Sequence, residues 1–159
     1  LVHNLFFDKE EFTTREIPEH IWHFKSGVDT WAMNKIAGDG IKSFRTNCWE
    51  ALKINNSTWS CATHPHNYYI EILADLGVVG VLIFLFIFFQ IILIFYNYQK
   101  KHSHFIKHDY LLKVVFLLIF VELLPIKSSG SFFSTFNAAY IFLILSIFVA
   151  IISKSNKKI

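Results

Sequence analysis

The second half of the chain is dominated by three apolar runs, which cover residues 76–96, 111–126 and 136–152. The first run contains a single polar residue, Gln90. Because about 20 apolar residues in a helix cross the ~30 Å hydrocarbon core of a bilayer, these runs predict three transmembrane helices.

Basic residues flank these runs and predict their orientation. Lysines are concentrated in the link 97–110 and in the tail 153–159. Such segments stay on the cytoplasmic side of a membrane. Three crossings then place residues 1–75 and the loop 127–135 on the outer side. We therefore predict an all-α polytopic membrane protein with short helices in its outer loop.

Composition supports a lipid-exposed protein and argues against nucleic acid as a partner. Apolar residues make up 53% of the chain, charged residues make up 17%, and the net charge is only +3. A nucleic-acid-binding protein usually has a basic face with base-reading groups, and none is visible. The chain begins at Leu1 in polar sequence, so we expect a fragment of a larger helical bundle.

The first 75 residues form a different, mixed region that holds all four Trp and both Cys residues. Apolar side chains recur there at partly helical spacing, at Ile21, Trp22, Phe24, Val28, Trp31 and Met33. This stripe predicts a helix that lies on the membrane surface.

Cys48 and Cys61 are the only two cysteines, and both fall in the predicted outer region. An oxidising compartment favours a disulfide bond between them. Closing a loop of this length contributes about 3 kcal/mol in the chain-entropy model. Two unpaired, buried thiols are the alternative.

The stretch CATHPHNYYIEILADLGVVG, residues 61–80, carries the clearest chemistry. Pro65 ends any preceding helix and Asn67 can cap a following one, so we predict a helix that runs from Tyr68 without interruption into the first span. His66 then lies at the positive end of this helix, which favours a neutral imidazole suited to act as a general base. The same helix end favours a nearby phosphate.

A second stretch, AGDGIKSFR, spans residues 37–45. Gly38 and Gly40 allow a sharp turn, and Lys42 and Arg45 follow it. Arginine is well suited to bidentate phosphate contact. A solvated charge for Lys42, and a loop or lipid contact for Arg45, are the alternatives.

Three motifs together resemble the O-antigen ligase family of membrane glycosyltransferases. The first is His66-Asn67, nine residues, then Gly77-x-x-Gly80; the second is the G-x-G-I-x-x-F-R element at 38–45; the third is the L-P-x-x-S-S-G-S-F-F segment at 124–133. The resemblance covers roughly residues 20–150.

The resemblance implies glycan transfer from an undecaprenyl-diphosphate carrier to an acceptor hydroxyl, without metal or cofactor. His66 would act as the base, Arg45 and Lys42 would bind the diphosphate, and His64 and Asn67 would be further substrate contacts. Structural roles fall to Gly38, Gly40, Gly77, Gly80 and the Cys48–Cys61 disulfide. Lipid A-core is the favoured acceptor, with membrane lipid around the protein and the site on the periplasmic side of the inner membrane.

Other functions remain open at this stage. An O-antigen polymerase and a protein O-oligosaccharyltransferase share the signature, and a glycan transporter or assembly subunit is the non-catalytic alternative. His64 and His66 could form a purely structural pair or, with His20 or His23, bind Zn²⁺.

Several polar and aromatic residues have plainer interpretations. We interpret Glu71 and Asp75, four residues apart, as a solvated rim at the membrane surface. Gly77 and Gly80 are expected to be helix-packing positions, and the segment 128–131 a flexible turn. The tryptophans either stack on sugars or anchor the chain at the interface. Glu122 lies in a predicted span, where a carboxylate is either functional or close enough to the outer end to reach water.

Overall fold

A computed structural model describes residues 19–101, 110–125 and 128–156, and within these ranges the fold is all-α. Its five helices are α1 (Glu19–Trp31), α2 (Phe44–Ile54), α3 (Tyr68–Lys101), α4 (Tyr110–Glu122) and α5 (Thr135–Asn156). The helical class predicted from the sequence is therefore confirmed for the described part of the chain.

Two of the described helices, α3 and α5, are long and apolar enough to cross a membrane. They contain the first and third predicted spans. Helix α4, which falls on the second predicted span, has 13 residues and rises only about 20 Å. A third crossing at residues 111–126 therefore stays a prediction. Most of the predicted cytoplasmic link (residues 102–109) and the end of the predicted tail (residues 157–159) lie outside the described residues.

Helix α3 is broken at Gly77, so the prediction of an uninterrupted helix was wrong. Gly77 has φ +63° and ψ −165°, far from helical values. The break divides α3 into a short arm, residues 68–76, and a long arm, residues 78–101. The first amides of the long arm would lack partners inside the helix; instead Val78 donates to the Lys35 carbonyl at 2.9 Å and Val79 donates to the Ile36 carbonyl at 3.1 Å.

Two glycines allow the backbone around this break to pack against the loop before α2. Gly38, at φ +64°, lies against the Asp75 carbonyl, and Gly77 lies against the Ile36 carbonyl. A β-carbon at either position would collide with that backbone, and positive φ is readily adopted only by glycine. Gly38 of the 38–45 element and Gly77 of the 66–80 motif therefore allow the backbones of these two motifs to pack directly against each other.

We expect Gly77→Ala to destabilise the fold more than Gly40→Ala does. Gly40 also has a positive φ, +107°, but a β-carbon there would meet nothing within 4 Å. Gly40→Ala therefore reports backbone strain of about 1–3 kcal/mol, whereas Gly77→Ala adds the collision with Ile36. Thermal unfolding in detergent measures the difference, and equal losses for the two variants would contradict the close backbone contact.

Helix α2 and the short arm of α3 share a small core that includes the disulfide bond. Phe44, Cys48 and Leu52 of α2 are buried against Ala74 of the short arm. Cys48 and Cys61 form the predicted disulfide, with their Cα atoms 6.0 Å apart. The bond fixes the chain that leads to His66 against the middle of α2.

Helix α1 forms where the apolar stripe predicted a helix, but a different face is buried. The buried residues are polar or small, namely His23, Ser26, Gly27, Asp29 and Thr30, whereas the Ile21, Trp22, Phe24 and Val28 side chains are only partly covered. Hydrogen bonds satisfy part of this face. Within the helix, Thr30 Oγ1 donates to the Ser26 carbonyl at 2.8 Å, and from a distant loop Ser57 Oγ donates to Asp29 Oδ2 at 2.6 Å.

A second core joins the apolar helices. It contains Ile91 and Tyr98 of α3, Leu112, Val115 and Ile119 of α4, Leu123, and Ile144 and Phe148 of α5. Many other apolar side chains on these three helices are exposed, as lipid-facing surfaces are.

Candidate functional site

His66 lies in a sharp bend that directly precedes the short arm of α3. Its φ is +57°, a left-handed conformation that few residues other than glycine adopt, although histidine and asparagine do so more often than most. Strained backbone of this kind clusters at functional sites. Pro65 before it is buried, and the Ser129 amide donates to the His66 carbonyl at 2.8 Å. The bend is thus held from both sides by distant parts of the chain.

Asn67 caps the short arm, as the sequence predicted. Its Oδ1 accepts from the amides of Tyr69 at 3.0 Å and Ile70 at 3.2 Å, and its Nδ2 donates to the Pro125 carbonyl at 2.7 Å. These amides are therefore already bonded to a protein oxygen. A phosphate at this end of α3 would have to be bound mainly by side chains.

Three imidazole rings lie together around this bend. The His66 ring centroid is 4.2 Å from that of His64 and 5.0 Å from that of His23. His23 comes from α1 and was considered from the sequence only as a metal ligand. Among the residues that the structure describes, no group of three or more His, Cys, Asp or Glu side chains has an arrangement that would hold a metal ion.

Burial lowers the pKa of the His64 imidazole, and electrostatic repulsion by His23 and Arg45 acts in the same direction. Contact with the Ser129 backbone opposes this lowering in part. The lowered pKa favours the neutral imidazole of His64.

Asp75 is buried, so its interpretation as part of a solvated rim was wrong. Its Oδ2 accepts from the Lys42 amide at 2.6 Å, and its Oδ1 accepts from the Phe44 amide at 2.9 Å and from Ser43 Oγ at 3.1 Å. Asp75 thus caps the N-terminus of α2 from another helix, where a negative charge is favourable. These three hydrogen bonds fix the start of α2, the helix that carries Arg45.

Glu71 is also buried, which corrects the same interpretation. Its Oε1 accepts from Ser131 Oγ at 2.5 Å and its Oε2 accepts from the Phe132 amide at 2.6 Å. The serine-rich segment that was expected to be a flexible turn is therefore tied to the short arm. Close by, Tyr68 Oη donates to Glu122 Oε1 at 2.7 Å, which gives the carboxylate in the predicted span a partner.

The two predicted diphosphate-binding residues differ in their placement. Arg45 is exposed at the first turn of α2 and acts electrostatically on His64, Glu71 and Asp75. Lys42, at φ +67°, is held by its amide while its side chain is exposed to solvent. Of these two residues, Arg45 is the one whose charge acts on His64.

Aromatic side chains lie beside the cluster on another face of α1. The Trp22 and Trp59 rings meet edge to face at 5.9 Å, and Lys25 Nζ lies 4.1 Å from the Trp59 ring centroid.

Comparison with protein-family models, curated proteins and solved structures finds no match to this chain. A functional proposal therefore depends on the residues and on the geometry described above.

Proposed function

We propose that this chain belongs to a bacterial inner-membrane glycosyltransferase that moves a glycan from an undecaprenyl-diphosphate carrier to an acceptor hydroxyl, with lipid A-core as the acceptor. The observation that carries the proposal is His66. It is held in a left-handed bend at a capped helix end, next to two further imidazoles, and the charge of Arg45 acts on one of these, His64.

The distribution of charge supports a site on the periplasmic side. Lys100 and Lys101 end α3, and Lys154 lies in the last turn of α5. These ends would be cytoplasmic, which puts His66, at the opposite end of α3, on the outer side. Since Glu122 bonds to Tyr68 and Leu112 packs in the same core as Tyr98, α4 runs back along α3 in the direction that this topology requires.

The proposed chemistry is a single displacement at the anomeric carbon. His66 takes the proton of the acceptor hydroxyl while the oxygen forms a bond to that carbon. The bond from carbon to the diphosphate oxygen breaks and leaves its electron pair on the diphosphate, so the configuration inverts. Arg45 stabilises the negative charge that develops there, and the proton passes from His66 to solvent.

An assay in bacteria that lack their own ligase tests this proposal. Cells that express the wild-type protein should attach a glycan ladder to lipid A-core, visible when lipopolysaccharide is separated on a gel. We expect Arg45→Ala to slow ladder formation by about 10²-fold, a typical loss for one charge-stabilising donor. Arg45→Lys should recover part of the rate because it restores the charge but not the bidentate geometry.

Lys53→Ala is the matched control, because Lys53 is an exposed cation in the last turn of the same helix. It should leave the ladder unchanged. Longer carrier-linked chains with unaltered lipid A-core would indicate a polymerase instead. Binding of lipid-linked glycan that survives both Arg45→Ala and His66→Ala, with no turnover by wild type, would indicate a non-catalytic transporter or assembly subunit.

A further inference from the structure

His23 carries a buried polar atom that has no partner in the described part of the chain. The residue is only 8% exposed, and its Nδ1 makes no hydrogen bond to any described residue. Buried polar atoms in folded proteins are nearly always hydrogen-bonded, because leaving one without a partner is costly. The ring therefore has unused hydrogen-bonding capacity next to the His66 ring.

The packing of α1 holds this ring next to His66. Gly27, one turn after His23 on the same helix face, lies so close to the bend that a β-carbon there would be 3.1 Å from Pro65 Cβ. This contact positions α1 against the residue that precedes His66. Packing of Gly27 against the Pro65 and Ile70 side chains thus keeps α1 close enough for the His23 and His66 ring centroids to lie 5.0 Å apart.

A second buried polar atom without a partner in the described part of the chain belongs to Ser129, which follows α4. Ser129 Oγ is buried and has no hydrogen-bond partner among the described residues, although the amide of the same residue holds the His66 carbonyl. Both groups border His66, and both can donate or accept one hydrogen bond. Neither is a permanent cation.

These properties fit a hydroxyl group better than a phosphate. A phosphate is best bound by cations or by free backbone amides, and at this bend the Tyr69 and Ile70 amides are already bonded to Asn67. A hydroxyl both donates and accepts, which matches an imidazole nitrogen and a serine hydroxyl. We infer that His23 Nδ1 and Ser129 Oγ form an acceptor subsite that holds hydroxyl groups of the acceptor sugar next to His66.

This inference rests on the proposed function, and it makes His23 and Ser129 positioning residues for the acceptor. Their replacement should raise the KM for the acceptor, while the KM for the lipid-linked donor stays unchanged. Transfer is measured with the complete protein in membrane vesicles, with purified lipid A-core as acceptor. We expect His23→Leu to raise the acceptor KM at least about tenfold and Ser129→Ala to raise it about threefold.

Two polar replacements of His23 separate hydrogen bonding from packing. The amide of Asn lies where Nδ1 lies in histidine, whereas the amide of Gln lies nearer to Nε2. His23→Asn should therefore keep an acceptor KM close to that of wild type, and His23→Gln should behave more like His23→Leu. An unchanged acceptor KM in both His23→Leu and Ser129→Ala would overturn the subsite, as would equal losses for Asn and Gln.

Ser129→Ala removes one hydroxyl that has no partner in the described structure, so its protein should fold even if His23→Leu does not. Binding of lipid A-core without donor tests the subsite separately from transfer. Binding by wild type that falls in Ser129→Ala would support the subsite even if no variant transfers glycan and the proposed chemistry fails. Absence of binding by wild type would overturn it.

Discussion

His66→Asn should reduce the rate of glycan transfer by roughly 10²–10⁴-fold, the usual contribution of a general base. An asparagine amide cannot take the proton of the acceptor hydroxyl at neutral pH. The loss should appear in kcat with little change in donor binding, because Arg45 and the rest of the site remain. Initial rates in membrane vesicles, with donor and acceptor varied separately, measure it.

Asparagine is a better replacement than alanine here because of the backbone. His66 has φ +57°, and Asn adopts this left-handed conformation several-fold more readily than most residues. His66→Ala removes the base and also adds strain of about 1–2 kcal/mol. Asn56→Ala is the matched control: Asn56 has φ +54° on an exposed turn, so its replacement adds similar strain without touching the histidines.

Folding of each variant is checked by thermal unfolding in detergent. Non-reducing mass spectrometry of protein from membranes adds a check that the Cys48–Cys61 disulfide is present, as it is in the structure. Transfer at more than half of the wild-type rate in His66→Asn would remove His66 from the chemistry.

Asp75→Asn should lower the free energy of unfolding by roughly 2–4 kcal/mol, since it disrupts bonds to buried donors that each cost about 1–3 kcal/mol when left unmet. Asn has nearly the same shape, but its NH₂ group would face an amide or hydroxyl that needs an acceptor. The start of α2 loses its cap, so Arg45 should also lose its position. Thermal unfolding in detergent measures stability, and the ladder assay measures the secondary loss of transfer.

Asp39→Asn is the matched control for this substitution. Asp39 is exposed, and its carboxylate accepts hydrogen bonds only from the Asn34 and Asn47 side chains among the described residues. Exposed bonds of this kind contribute little, so the change should be below about 1 kcal/mol. Similar losses at positions 39 and 75 would show that the buried cap does not stabilise α2.

Local patterns in the sequence predicted the local features of the fold. The apolar runs predicted α3 and α5, the His-Asn pair predicted the cap at Asn67, and the two outer cysteines predicted the disulfide. Each of these features depends on residues that are close in the chain or, for the disulfide, on an oxidising compartment. Such features can be predicted from sequence because few distant contacts decide whether they form.

Features that depend on distant contacts were predicted wrongly. Residues 68–96 continue a helical pattern through Gly77, and only packing against the Ile36 backbone breaks the helix. Glu71 and Asp75 lie near a membrane boundary, where solvated carboxylates are common. Asp75 is buried against the start of α2, where its partner Phe44 is 31 residues away in the chain. Glu71 is buried against the segment that contains Ser131, 60 residues away.

Helix α1 shows why the sequence motifs did not identify His23 as a residue of the proposed site. Its apolar and aromatic residues give the stronger periodic signal, yet the face that packs on the bend is polar and small. His23 could have been noticed as a histidine one turn before Gly27, since a glycine inside a helix often marks a close contact. The contact partner itself, Pro65, is visible only in the folded chain.

The broken helix gives a physical meaning to the spacing between His66-Asn67 and Gly77. The short arm between cap and break has nine residues, 68–76, or about two and a half helical turns. One carboxylate of this arm holds the loop beside His66, and the other holds the start of α2. Inserting a single residue between Glu71 and Asp75 would rotate one carboxylate about 100° around the axis relative to the other, so one of the two loops would lose its anchor. The nine-residue length of the short arm therefore fixes the relative orientation of Glu71 and Asp75 around the helix axis. Substitutions at other positions of the arm should be tolerated far better than any change in its length.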